Sequence, residues 1–255
     1  MQQSESKIAL LIDADNAPAS KIEAILSEIA KYGVANVRRA YGNWKSQNIK
    51  SWEECLHEYA IRPVQQFDYT KGKNATDAAM IIDAMDLLYT QHLDAFAIVS
   101  SDSDFTPLVM RILTNGLKVY GFGETKTPLP FVRACSTFLY LETIDRAIDV
   151  DLNSGENIKV STNLKKTSQE LKQDTKLISL LRGAVSNTAD DDDWSNLADV
   201  GGHITNQASF DSRNYGYTKL YSLFKAIDLF EIQRQGTVVY VRNKQKNAKD
   251  SIARS

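Results

Sequence analysis

Residues Ile8 to Pro18 read IALLIDADNAP, an apolar run that passes directly into Asp13-Ala14-Asp15-Asn16. A strand buried on both faces has this character, and it delivers its last side chains to the carboxyl edge of a parallel sheet. Asp and Asn are poor strand formers, so the strand stops where the acids begin. A second stretch has the same shape: AFAIVSS, residues 95 to 101, followed by Asp102-Ser103-Asp104-Phe105. Two strands that each end in a pair of acids point to one shared carboxylate cluster.

The surrounding pattern supports a sheet of this kind. Strands are expected at 7–13, 34–41, 62–68, 94–101, 117–122 and 137–141. Helical periodicity falls between them: Ile22, Ile25, Leu26 and Ile29 recur at helical spacing. Ser20 to Glu23 reads as a capping box opening that helix, and Gly33 as its left-handed end. Further helices are expected at 51–60, at 75–89 with Ile81, Met85 and Leu88 on one face, after Pro107 up to Gly116, and near 130–134. Alternation of this kind implies an α/β, three-layer domain with a parallel sheet.

Composition shifts after residue 143. Residues 144–173 are polar and read as a linker. Helical signals then gather at Leu177, Leu180 and Leu181, at Trp194, Leu197 and Val200, and at Leu220 to Ile227. Two short alternating strands surround Arg234-Gln235-Gly236. Three helices and a hairpin describe a winged-helix module at 174–243, with a tail at 244–255.

Bulk properties set few limits. The chain has 255 residues, 43% of them hydrophobic, and a formal net charge of -2. No overall basicity announces nucleic acid, so any such surface must be local. Cys55 and Cys135 have no paired spacing and read as reduced thiols of a cytoplasmic protein. No apolar run approaches the roughly 20 residues of a membrane span.

Helix N-termini and strand C-termini meet at the same edge of a doubly wound sheet. Asp77, at the start of the 75–89 helix, can therefore join Asp13, Asp102 and Asp104. Crowded carboxylates repel one another unless cations neutralise them, and oxygen ligands suit Mg²⁺ or Mn²⁺. Asp15 and Asn16 are placed to support the set. Asp83 lies about 240° around the helix from Asp77 by the 3.6-residue turn, off the cluster's face. Hard cations held in this way serve phosphoryl transfer. Lys71 and Lys73 flank a glycine just before Asp77 and can hold a substrate phosphate. Arg38, Arg39 and Lys45 beside Tyr41 and Trp44 suit a surface that tracks a backbone and stacks bases. Arg213, Tyr215, Tyr217 and Lys219 form a second basic and aromatic cluster.

Three separated stretches, LLIDADNAP, KGKNATDAAMIIDAM and AIVSSDSDFTPLVMRILTNGLKVYGFG, resemble the NYN domain, a LabA-type branch of the PIN-like nuclease fold, over residues 5–143. The resemblance implies a divalent-metal-dependent endoribonuclease with Asp13, Asp77, Asp102 and Asp104 as catalytic metal ligands. It implies products ending in a 5′-phosphate and a 3′-hydroxyl. Asn16 belongs to the first motif, and Asp83 matches a recurrent second helix acid. Downstream, LISLLRGAV, WSNLADVGGHI, FDSRNYGYTKLYSLFKAIDLFEI and TVVYVRN resemble the OST-HTH, or LOTUS, winged helix. That implies binding of RNA, single-stranded or looped, or of a protein partner.

Two other readings compete. One is a non-catalytic RNA-binding adaptor with the acids intact. The other is a phosphatase of the haloacid-dehalogenase type, since Asp13-x-Asp15 follows a strand. Asn16 and Ala17 stand where that pattern wants Thr or Val, and Asp77 has no place in it.

Overall fold

The computed structural model describes residues 5–67, 75–144 and 165–244. It divides into two compact units, Met1–Gly155 and Glu156–Ser255. The loop expected at 71–74 and most of the linker and tail lie outside the described residues.

In the first unit, six strands form one parallel sheet: β1 (Lys7–Asp13), β2 (Val34–Gly42), β3 (Arg62–Gln65), β4 (Ala95–Val99), β5 (Lys118–Gly123) and β6 (Thr137–Tyr140). Their order is β3-β2-β1-β4-β5-β6, with every pairing parallel. The order reverses between β1 and β4. A crevice opens at such a switch point, beyond the carboxyl ends of the two strands. The register sets Ile12 against Val99, so Asp13 and Ser100 follow side by side.

The side-chain period of two divides β1 between two cores. Ile8, Leu10 and Ile12 face α1 (Ile22–Ile29), α2 (Trp52–Glu58) and α6 (Leu141–Ile144). Ala9 and Leu11 face α3 (Ala75–Thr90), α4 (Thr106–Thr114) and α5 (Leu129–Ala134). All five are fully buried, each larger one stabilising by about 1.5–3 kcal/mol. By the same alternation Asp13 falls on the α3 face. The buried stripe of α3 is Asp77, Met80, Ala84, Leu87 and Leu88, so its apolar part continues the line that Asp77 begins.

Two capping expectations fail. Ser20 does not cap α1. A short 3-10 turn, Ala19–Lys21, precedes the helix, and Lys21 at the cap position makes no side-chain capping bond. Gly33 is not left-handed. It is required because a Cβ there would come within 2.2 Å of the Ser6 carbonyl oxygen, where the chain enters the sheet. Gly116, by contrast, does end α4 in the left-handed region, at φ +82°.

The second unit contains α7 (Ser168–Gln173), α8 (Thr175–Asn187), β7 (Ser195–Asn196), α9 (Leu197–Gln207), α10 (Leu220–Ile227), β8 (Phe230–Gln235) and β9 (Val238–Asn243). The strands form an antiparallel sheet in the order β7-β9-β8. α7 corrects the linker reading, because the end of 144–173 is helical. Thr167 and Glu170 close a capping box there, and Leu171 is fully buried in this unit's core. Trp194 lies before β7 rather than in a helix, with the Arg242 guanidinium 4.7 Å from its ring centroid.

Candidate metal centre

Asp13 is fully buried at the end of β1. Its Oδ2 accepts from Ser100 Oγ at 2.8 Å and from Asn16 Nδ2 at 2.9 Å. Its Oδ1 is buried and has no hydrogen-bond partner. Burial pushes the carboxyl upward, and the Asn16 and Ser100 hydrogen bonds oppose this. A buried carboxylate oxygen without a donor is costly unless a positive charge reaches it.

Asp77 opens α3 at 8% exposure. Its carboxyl is pushed up to about 6, first by burial and then by the charges of Asp13, Asp102, Asp104 and Asp15. The four predicted acids therefore share one electrostatic neighbourhood at the crevice between β1 and β4. Asp102 follows β4, and its side chain accepts from the Asp104 amide at 2.8 Å, capping the turn Ser103–Phe105. Phe105, fully buried, anchors that turn under α4. Asp104 itself is exposed.

Among the described residues, no three Asp, Glu, His or Cys side chains are already gathered closely enough to enclose an ion. The donor set nevertheless fits a hard divalent cation in kind. It is all carboxylate, it contains the orphaned Asp13 oxygen, and the charges of Asp13, Asp102 and Asp104 add to burial in pushing the Asp77 carboxyl upward.

The supporting residues fall in distinct places. Asn16 touches Asp13 directly. Asp15 is exposed and accepts from Thr76 Oγ1 at 2.9 Å, joining the β1 end to the start of α3. The Asp83 carboxylate holds Arg39 Nη1 and the Tyr41 hydroxyl. Ser100 and Thr76 escaped sequence reasoning. The one available signal was that Ser100 is the first polar residue after the apolar run of β4.

The expected base-stacking surface is largely occupied from within. Arg38 donates to the carbonyls of Ala35 and Tyr59 at 3.1 and 2.9 Å. Arg39 is bound to Asp83, Tyr41 is fully buried, and Trp44 Nε1 donates to the Val64 carbonyl at 3.0 Å. Lys45 is exposed, with its ammonium 5.0 Å from the Phe67 ring centroid. Lys71 and Lys73 lie outside the described residues. In the second unit, Arg213 forks onto Asp211 at 2.7–2.9 Å. Tyr217 is buried and donates to the Lys166 carbonyl, and Tyr215 stacks on Phe210. Only Lys219 of that cluster is exposed.

A parallel sheet with acids at its switch point defines a PIN-like, nuclease-type fold. The NYN domain family model matches residues 7–142, and the OST-HTH/LOTUS domain model matches residues 171–241. The chain belongs to the NYN domain family and carries an OST-HTH/LOTUS domain after it, a domain type that implies RNA binding. An uncharacterized protein of Methanocaldococcus jannaschii is 30% identical over 129 residues, 48% of this chain and 49% of that protein. The chain thus spans about half the length of the curated relative it matches. Among solved structures, a Vibrio parahaemolyticus protein of unknown function is similar with a TM-score of 0.45 at 20% identity, covering 55% of this chain and 96% of its own. An uncharacterized Nitrosomonas europaea protein is similar with a TM-score of 0.27 at 26% identity, covering 39% and 95%. Among the described residues no helix is long and apolar enough to cross a membrane.

Proposed function

We propose that the chain is a divalent-metal-dependent endoribonuclease. The observation that carries this reading is Asp77. Its carboxyl is pushed up to about 6 by burial and then by the charges of Asp13, Asp102 and Asp104, and the Asp13 carboxylate has a buried oxygen with no partner. Such a cluster is a cation site in waiting. Asp13, Asp77, Asp102 and Asp104 would hold Mg²⁺ or Mn²⁺. When bound, the ion supplies charge neutralisation at the phosphodiester and a more acidic water.

The chain's own residues do the positioning. Ser100 and Asn16 fix Oδ2 of Asp13 and leave Oδ1 without a donor. The Asp102 cap sets the turn that carries Asp104. No protein nucleophile is needed, since water attacks phosphorus in line. The winged-helix unit supplies RNA affinity. Purified protein, labelled RNA and Mn²⁺ test the reading. Cleavage by the wild type that is lost in Asp102→Asn supports it, and equal traces of cleavage from both proteins would sink it.

One observation favours a second reading. No three ligating side chains are yet gathered around a centre among the described residues, as a non-catalytic RNA-binding adaptor would allow. RNA binding without any Mn²⁺-dependent cleavage distinguishes that case.

A further inference from the structure

β8 and β9 pair with Gln233 opposite Tyr240 and Glu231 opposite Arg242, so these four side chains share one face of the hairpin. The other face is turned inward, with Phe230 and Val241 buried in the core. A pocket of about 480 Å³ opens on the first face. Gln235, Tyr240 and Arg242 line it from the sheet, and Asp190, Asp192 and Trp194 line it from the loop before β7.

The pocket is negative. Arg242 Nε and Nη2 both donate to Glu231 Oε2, at 2.8 and 2.6 Å, so this cation is neutralised where it stands. Among the described residues no other lysine or arginine lines the pocket. Asp190 and Asp192 therefore set its sign, and Asp191 and Asp193 extend the same acid run. A phosphate backbone is repelled by such a lining, and a cation is drawn to it.

Arg242 also shows what this face accepts. Its guanidinium lies 4.7 Å from the Trp194 ring centroid while Glu231 takes its N–H groups. A ring against the plane and a carboxylate at the edge suit a guanidinium better than an ammonium. Tyr240 and Asp192 bring a second ring and a second carboxylate to the same pocket, with no second arginine of the chain to fill them.

We propose that this pocket docks an arginine-bearing basic segment of a partner protein. The incoming guanidinium packs on Tyr240 and donates to the Asp192 and Asp190 carboxylates. Asp190 is held in place for this, since its Oδ1 accepts the Trp194 and Asp192 amides at 2.8 and 3.1 Å. The hairpin face is thus a protein-binding surface, separate from whatever surface of the unit carries RNA, and it stands whether or not the chain cleaves RNA.

The test is fluorescence anisotropy of the full chain with a labelled peptide of about five Gly-Arg repeats, beside its Gly-Lys counterpart. Asp192 and Gln235 are exposed, so Asp192→Lys and Gln235→Lys keep the fold, which melting curves confirm. Asp199→Lys, at an exposed acid in the first turn of α9 and outside the pocket, makes the same charge reversal as Asp192→Lys. Both pocket variants should weaken the Gly-Arg peptide by about tenfold or more, and Asp199→Lys by no more than about twofold. Wild type should hold Gly-Arg about threefold or more tighter than Gly-Lys. The Asp13 cluster is intact in every variant, so peptide held there cannot account for a difference between them. Absence of peptide binding by the wild type, equal affinity of pocket variants and wild type, an equal loss in Asp199→Lys, or equal affinity for the two peptides overturns the proposal. So does tighter binding of a labelled oligouridylate by Asp192→Lys than by Asp199→Lys, which is the outcome for a face that lies along RNA.

Discussion

Ser100 Oγ donates to Asp13 Oδ2 at 2.8 Å and accepts the Asp102 amide at 3.1 Å, so one hydroxyl ties the end of β1 to the turn after β4. It orients the carboxylate and favours its charged form against burial. Ser100→Ala frees Asp13 to rotate and raises its proton affinity. Partners of this kind typically contribute 10–100-fold to metal affinity. Calorimetric titration of Mn²⁺ at pH 7 should find binding weakened by about tenfold or more. An unchanged Kd would show that the hydroxyl is incidental.

Asp77 makes stability depend on pH. Its native carboxyl titrates at about 6, above the ordinary 3.8, so the folded state holds a proton that the unfolded chain has released. That contribution is complete below about 4 and is lost as pH rises through about 6. In EDTA at pH 7.5, Asp77→Asn should therefore melt above wild type, by an amount on the order of 1–2 kcal/mol. The difference should shrink toward zero near pH 4. Mn²⁺ should reverse the order by stabilising wild type alone. A variant less stable than wild type at pH 7.5 in EDTA counts against the clustered acids.

Asp83 offers the contrasting case. Its two carboxylate oxygens are taken up by Arg39 Nη1 and the hydroxyl of the buried Tyr41. Asp83→Ala leaves both donors without their acceptor, a loss of about 1–3 kcal/mol in urea unfolding. Mn²⁺ affinity should stay within about twofold of wild type. Loss of metal binding as large as that expected for Ser100→Ala would place Asp83 in the site.

The two acid-ended strands were legible because burial on both faces leaves an unbroken apolar run, which periodicity exposes directly. Their adjacency was not, since strand order depends on crossovers that no local pattern records. Asp83 shows the same boundary. Its angle on α3 followed from helical spacing, but its partners on β2 are 42 and 44 residues away in sequence. The internal partners of the basic and aromatic clusters were hidden for a related reason. Arg38, Arg213 and Tyr217 have the chemistry of a binding surface, yet here their donors satisfy carbonyls and a carboxylate of the fold. Gly33 likewise looked like a helix cap, when the constraint came from the Ser6 carbonyl of a distant segment.

Asp102 combines a structural and a chemical duty, and two substitutions separate them. Its Oδ1 caps the turn Ser103–Phe105 by accepting the Asp104 amide at 2.8 Å. Asn retains a carbonyl oxygen that accepts the same bond, whereas Ala removes it at a cost of about 0.5–2 kcal/mol. Asp102→Asn should thus match wild-type stability within about 0.5 kcal/mol, and Asp102→Ala should fall below it. Both remove the negative charge, so both should reduce Mn²⁺-dependent cleavage by about 100-fold or more, in keeping with loss of an electrostatic group at a reacting centre. Thermal melts beside single-turnover cleavage measure the two effects on the same samples. Cleavage that tracked stability, with Asn active and Ala inactive, would assign Asp102 to the turn alone.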